Sequence, residues 1–146
     1  MENRFNLAET EPQGMKAMVG LETYIRSSGI DKKQLHLIKY RASQINGCAY
    51  CLDMHSKEAL KDGESVQRLM TVGAWRETSL FTPEEQAILM MTEEITNISH
   101  SGLSDATYKL AEKYFDKSYI AKILMVVVTI NAWNRIAIST HLQIGD

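Results

Sequence analysis

A chain of 146 residues fits one domain with one core, because two domains of half that length would each be short of apolar surface to bury. With 45% apolar and 23% charged residues, 8 Gly and only 2 Pro, the composition is that of a globular protein and excludes a disordered or fibrous chain. A formal net charge of -2, with acids and bases interspersed throughout, sets up no field that would attract nucleic acid or an anionic membrane, so neither is an expected partner.

The opening stretch MENRFNLAETEPQG lacks the basic start, apolar run and small-residue cleavage site of a secretory leader, and the cytoplasm is the expected compartment. From Gln13 to Ser28, Met15, Met18, Leu21 and Ile25 fall near helical spacing, and Gly29 stands where a C-terminal cap belongs. Asp31 can cap a second helix, in which Leu35, Ile38, Ala42 and Ile45 recur at spacings of three and four. Asn46-Gly47 then breaks the chain, since both residues tolerate positive φ, and the segment CAYCLDMHSKEALKD opens a new amphipathic helix that runs on toward Gly63.

A short segment, ESVQRLMTV, ends at Gly73 and leads through WRETSLF to Thr82-Pro83-Glu84-Glu85. That tetrad combines an N-cap Thr, a first-turn Pro and an N3 Glu, and so marks a helix start. The helix it opens gives way at Ser101-Gly102. Ser104 or Asp105 caps ATYKLAEKYF, and Asp116 begins the last long helix, through Thr140. Its apolar run, Ile123 to Ile130, is far short of the roughly 18–20 residues that cross a bilayer and reads as a buried helix. No segment alternates apolar and polar long enough for a strand. The expected architecture is all-α, a single domain over 1–146 built as a compact bundle of about six or seven helices.

The chemistry concentrates in one helix. Cys48 and Cys51 are the only cysteines, which rules out a disulfide framework of the secreted kind. Residues three apart on a helix sit on adjacent turns, so the pair can close a disulfide with little backbone movement. His55 follows Cys51 by four residues, where its imidazole can take the thiol proton or return one to a leaving alkoxide. Cys51 is thus the better candidate nucleophile, and a sulfenic acid formed on it can be resolved by Cys48. An external dithiol or protein reductant must then restore the pair.

A zinc site would need a fourth ligand from His36, His100 or His141, because no further cysteine exists. Neither a metal nor an organic cofactor is expected. Two cysteines can also be mere packing residues, and a thioredoxin fold is disfavoured because a helical segment, not a strand, precedes the pair.

The run RASQINGCAYCLDMHSKEA, Arg41 to Ala59, closely resembles the alkylhydroperoxidase D-like core of the carboxymuconolactone decarboxylase family. Trp75-Arg76, LFTPEEQAIL and INAWNRIA resemble further segments of its small members. The resemblance implies an all-helical fold, trimers or hexamers, and a peroxidase that reduces hydrogen peroxide or organic hydroperoxides, with Cys51 peroxidatic and Cys48 resolving. It also implies a relay glutamate twelve residues before the first cysteine, a position held here by His36. His36 is carried as a relay member, and Glu58, three residues after His55, is the alternative that would orient that imidazole. The decarboxylase branch of the family does not depend on a cysteine pair, so retention of the pair favours redox chemistry. A lactone decarboxylase-like enzyme and a non-enzymatic redox-sensing or metal-binding oligomer are the alternatives.

Other conspicuous residues read as structural. Met54, Met70, Met90, Met91 and Met125 suit core gaps, and Trp75 and Trp133 suit core or subunit contacts. Arg135, in an apolar helix, calls for an acidic partner or a subunit interface. Lys39, Tyr40 and Arg41 are given no role.

Overall fold

The computed structural model describes residues 2–145, and within them every regular element is helical. The order is α1 (Leu7–Thr10), α2 (Pro12–Ser27), α3 (Lys32–Asn46), α4 (Ala49–Lys61), α5 (Val66–Thr71), a 3-10 segment (Val72–Glu77), α6 (Pro83–Thr96), α7 (Ile98–Ser101), α8 (Asp105–Glu112) and α9 (Lys117–Thr140). The all-α expectation holds. The element count exceeds it because α1 and α7 are single turns, too short to show an apolar period.

The predicted caps are where local chemistry puts them. Asp31 accepts the Lys33 and Gln34 amides at 2.9 and 3.1 Å. Thr82 and Glu85 form a reciprocal capping box at 3.2 and 2.9 Å, Ser104 accepts the Thr107 amide, and Asp116 accepts that of Tyr119. Each such cap is worth about 1 kcal/mol.

Helix α3 is the central strut, packed on α4, α6 and α9. Its Ile38 and Ala42 join Ile25, Ile88, Met91, Ile123, Val126, Val127 and Ile130 in the main core, while Leu37, one residue away, faces a second cluster with Val72, Trp75, Phe81 and Leu89. Full burial of each large aliphatic stabilises the fold by roughly 1.5–3 kcal/mol. By length and composition alone α9 is apolar enough to cross a membrane, with a mean hydropathy of 1.4. In the fold it lies against α2, α3, α4, α6 and α8, and Ile123, Val126, Val127 and Ile130 spend that hydropathy on the core.

Buried charge is paired. Glu93 receives Arg41 at 2.9 Å, Arg76 at 2.8 Å and the Trp75 indole N–H at 3.0 Å, which ties α3 and the 3-10 segment to α6. Arg68 spans Glu64 and Glu85 at 2.8 and 2.7 Å. Burial works against its cation, but the two carboxylates outweigh that and raise its pKa further.

Candidate functional site

The cysteine pair is placed by the end of α3. Gly47 takes the left-handed conformation (φ 67°) that a side chain would strain, and the Cys48 amide turns back to the Ser43 carbonyl at 3.1 Å. A polar ladder locks this corner to α9. Asn46 donates to Asn131 and Asn134 at 3.0 and 2.9 Å, and Asn134 donates to the Ser43 hydroxyl at 3.0 Å. Asn134 and Ser43 are fully buried, so losing either partner removes a hydrogen bond that water cannot readily replace, although Ser43 keeps the Lys39 carbonyl and Asn134 keeps Asn46.

Cys48 then stands at the N-cap of α4, where Ser, Thr, Asp or Asn is usual. Its sulfur accepts the Cys51 amide at 3.3 Å. The two cysteines are joined as a disulfide, with Cα atoms 5.3 Å apart, the separation that adjacent helical turns supply. Both are almost wholly buried, against Ala137, Tyr50 and Leu142.

Cys51 lines a cavity of about 290 Å³ whose wall is mostly apolar: Met15, Met54, Trp133, Ile136 and Leu142. His55, 3% exposed, lines the same cavity one turn beyond Cys51. Its Nδ1–H donates to Glu58 Oε2 at 2.9 Å. The hydrogen bond from His55, opposed by partial burial, holds the Glu58 carboxyl below its ordinary range, so the acceptor is a carboxylate at neutral pH. With Nδ1 committed to Glu58, Nε2 is the ring nitrogen left to exchange a proton. Lys39 lines the same cavity, buried and ion-paired to Glu22.

His36 does not line this cavity. Its Nε2 pairs with Asp62 at 2.8 Å, a hydrogen bond that lowers the Asp62 pKa, and its Nδ1 is buried without a hydrogen-bond partner. It lines an adjoining cavity of about 380 Å³. Arg26, Lys39 and Glu58 line both spaces, so Glu58 is the carboxylate the structure sets beside His55.

Several residues read as structural have other settings. Met54 walls the Cys51 cavity, Trp133 packs against the main core as expected and also walls that cavity, and Met70 is 79% exposed instead of filling a core gap. Lys39 is buried beside the site, where Glu22 of α2 pairs its charge. Arg135 lies exposed and, among the described residues, hydrogen-bonds Asn131 at 2.9 and 3.0 Å instead of an acid. The described residues contain no cluster of three or more His, Cys, Asp or Glu able to hold a metal.

The model of the carboxymuconolactone decarboxylase family matches residues 12–94. The YdfG protein of Bacillus subtilis, itself uncharacterized, is 39% identical over 139 residues, 95% of each chain. The alkyl hydroperoxide reductase AhpD of Coxiella burnetii is 38% identical over 53 residues, 34% of this chain and 30% of that one. The crystal structure of ATU0492 from Agrobacterium tumefaciens, a protein of unknown function suggested to be an antioxidant defence protein AhpD, superposes with a TM-score of 0.96. It shares 39% identity and covers 99% of both chains. With the family model spanning the cysteine helix and a relative matched almost end to end, the chain belongs to the carboxymuconolactone decarboxylase family and has its AhpD-like all-helical fold.

Proposed function

We propose that this protein is a cytoplasmic thiol peroxidase that reduces hydrogen peroxide or small organic hydroperoxides through Cys51 and Cys48. The observation that carries the reading is the closed Cys48–Cys51 bridge whose second sulfur shares a cavity with a carboxylate-held imidazole. The AhpD named among its relatives supports it.

In the reduced protein His55 Nε2 takes the Cys51 thiol proton. The thiolate attacks the terminal peroxide oxygen, the O–O bond breaks, and Cys51 becomes a sulfenic acid while the departing alkoxide recovers the proton from His55. Cys48 then attacks the Cys51 sulfur. Its proton leaves with the sulfenic hydroxyl as water, and the bridge closes. An external dithiol returns two electrons. Glu58 positions His55 in this scheme, and the role given to His36 is confined to holding Asp62.

The apolar cavity wall favours an organic hydroperoxide over hydrogen peroxide, since each buried methylene adds roughly 0.8 kcal/mol of binding. We also propose a homo-oligomer, trimer or hexamer, through the exposed apolar patch of Ile98, Leu124 and Val128, three large side chains 57%, 42% and 45% exposed. A monomer by light scattering would contradict that assembly.

Steady-state consumption of a hydroperoxide with a dithiol in excess tests the activity. Turnover by the wild type, with a sulfenic acid trapped on Cys51 in the Cys48→Ser variant, is the expected result. A sulfenic acid that forms on Cys48 in Cys51→Ser at an equal rate would overturn the assignment.

A further inference from the structure

The two sulfurs of the bridge open onto different spaces. Cys51 lines the His55 cavity and Cys48 does not. Cys48 instead floors a groove of about 510 Å³, and Tyr50, Ala137 and Leu142 border both spaces as a partition. The far rim of the groove is formed by Ile138, 43% exposed, and Ile144, 58% exposed, so it is open to a larger reactant. His141 stands on the same rim.

His141 is also the only non-glycine among the described residues with positive φ (58°, ψ 42°). It caps α9 in the left-handed conformation where glycine is the common choice and a β-carbon is unfavourable. An unusual backbone state thus holds an imidazole at the entrance to the Cys48 sulfur.

We propose that the Cys48 groove is the entry for a dithiol reductant, which attacks the Cys48 sulfur with His141 as the acceptor of its proton. The biological purpose of this step rests on the peroxidase reading above, whereas its chemistry needs only the bridge. The first thiol of the reductant gives its proton to His141, and the thiolate attacks Cys48 Sγ. The Cys48–Cys51 bond breaks, a mixed disulfide forms on Cys48, and Cys51 leaves as the thiolate. The second thiol of the reductant loses its proton to solvent and attacks its partner sulfur in the mixed disulfide. Cys48 is released and protonated from His141, and the reductant departs as a cyclic disulfide, oxidised by two electrons.

The direction of attack follows from the leaving group, because the sulfur that leaves faster is the one whose thiolate is better stabilised. Cys51 leaves into the cavity that His55 lines, where the Glu58-held imidazole can hand it a proton. Cys48 has a neutral donor, the Cys51 amide at 3.3 Å. Peroxide and reductant therefore use opposite faces of one bridge and do not compete for one pocket.

The test uses oxidised wild-type protein and no peroxide. The bridge is opened with 2-mercaptoethanol, quenched in acid, capped by alkylation, and the adduct is placed by fragment-ion mass spectrometry. The adduct on Cys48 and the alkyl cap on Cys51, in about tenfold excess over the reverse, is the expected result. An even split, or the adduct on Cys51, overturns the proposal.

His141→Asn, which tolerates the left-handed backbone, tests the base. Reduction by dithiothreitol slows on the order of tenfold at neutral pH, and the deficit shrinks as the pH approaches the reagent thiol's own ionisation, about 8.5 for an ordinary thiol. Tyr50 is the other titratable side chain lining the groove, Cys48 being held in the bridge. Arg4, whose guanidinium donates to the Ser139 carbonyl, is the charged group from the N-terminal segment that meets this end of α9. A rate unchanged at every pH removes His141 from the mechanism. Failure of the wild type to consume hydroperoxide would count against the peroxidase reading alone, since neither measurement depends on it.

Discussion

Along the first half of α9, Ile123, Val126 and Val127 are wholly buried against Ile38, Ile88 and Met91, and Ile130 carries this dry stretch just past the midpoint. Along the second half Asn131 and Asn134 bind Asn46, and Asn134 also binds Ser43. Trp133, Ile136 and Ala137 there border the Cys51 cavity. One helix therefore carries a dry core at one end and a hydrogen-bonded, partly hollow end at the other. Apolar contacts are non-directional and stabilise without fixing register, whereas the Asn–Ser ladder specifies one position of α3 on α9 and so one position of Cys48. Stability belongs mainly to the first half and geometry to the second.

Substitutions can separate the two. Ile130→Ala, in the dry stretch, costs about 2–5 kcal/mol of stability. Urea denaturation reads it, and bridge reduction in the folded protein stays near the wild-type rate. Asn134→Ala costs about 1–3 kcal/mol by removing one hydrogen bond each from Ser43 and Asn46, which keep the Lys39 carbonyl and Asn131, and it also slows closure of the bridge. If Ile130→Ala altered bridge chemistry as much as Asn134→Ala did, the division of the helix would be wrong.

On the proposed mechanism, Glu58→Gln lowers the rate of hydroperoxide reduction on the order of tenfold, because the imidazole loses its charged partner. The Glu58 carboxyl has a lowered pKa in the folded protein, so its contribution to stability is complete above the ordinary carboxylate value and is lost as pH falls through the lowered one. Denaturation of wild type and Glu58→Gln across pH should show a gap at neutrality that closes below about pH 4.3. The smallest effect belongs to Thr82→Ala, far from the bridge. It costs about 1 kcal/mol through the lost capping box and leaves the chemistry untouched.

What was legible in the sequence was local. The cap residues Asp31, Thr82, Ser104 and Asp116 bond to amides two or three positions ahead, so a four-residue window contains the whole interaction. Cys48, Cys51, His55 and Glu58 share one helix for the same reason, and spacing alone brings them to adjacent turns. What was not legible depends on how helices cross. Lys39 meets Glu22 across α3 and α2, and His36 meets Asp62 across 26 positions, which turns His36 away from the Cys51 cavity. The cavity wall draws Met15, Trp133 and Leu142 from opposite ends of the chain. Arg135, for which its apolar neighbours call for an acid or a subunit interface, hydrogen-bonds Asn131 one turn back in place of an acid and borders the same exposed patch as Ile98, Leu124 and Val128.

The proposed attack of Cys51 on peroxide, with Cys48 closing the bridge, is tested most directly by titrating free thiols in the reduced protein before and after stoichiometric hydroperoxide. Both thiols are lost in the wild type. In Cys51→Ser the remaining Cys48 thiol should persist over the same interval. Thiols that stay fully titratable in the wild type after excess hydroperoxide would contradict it.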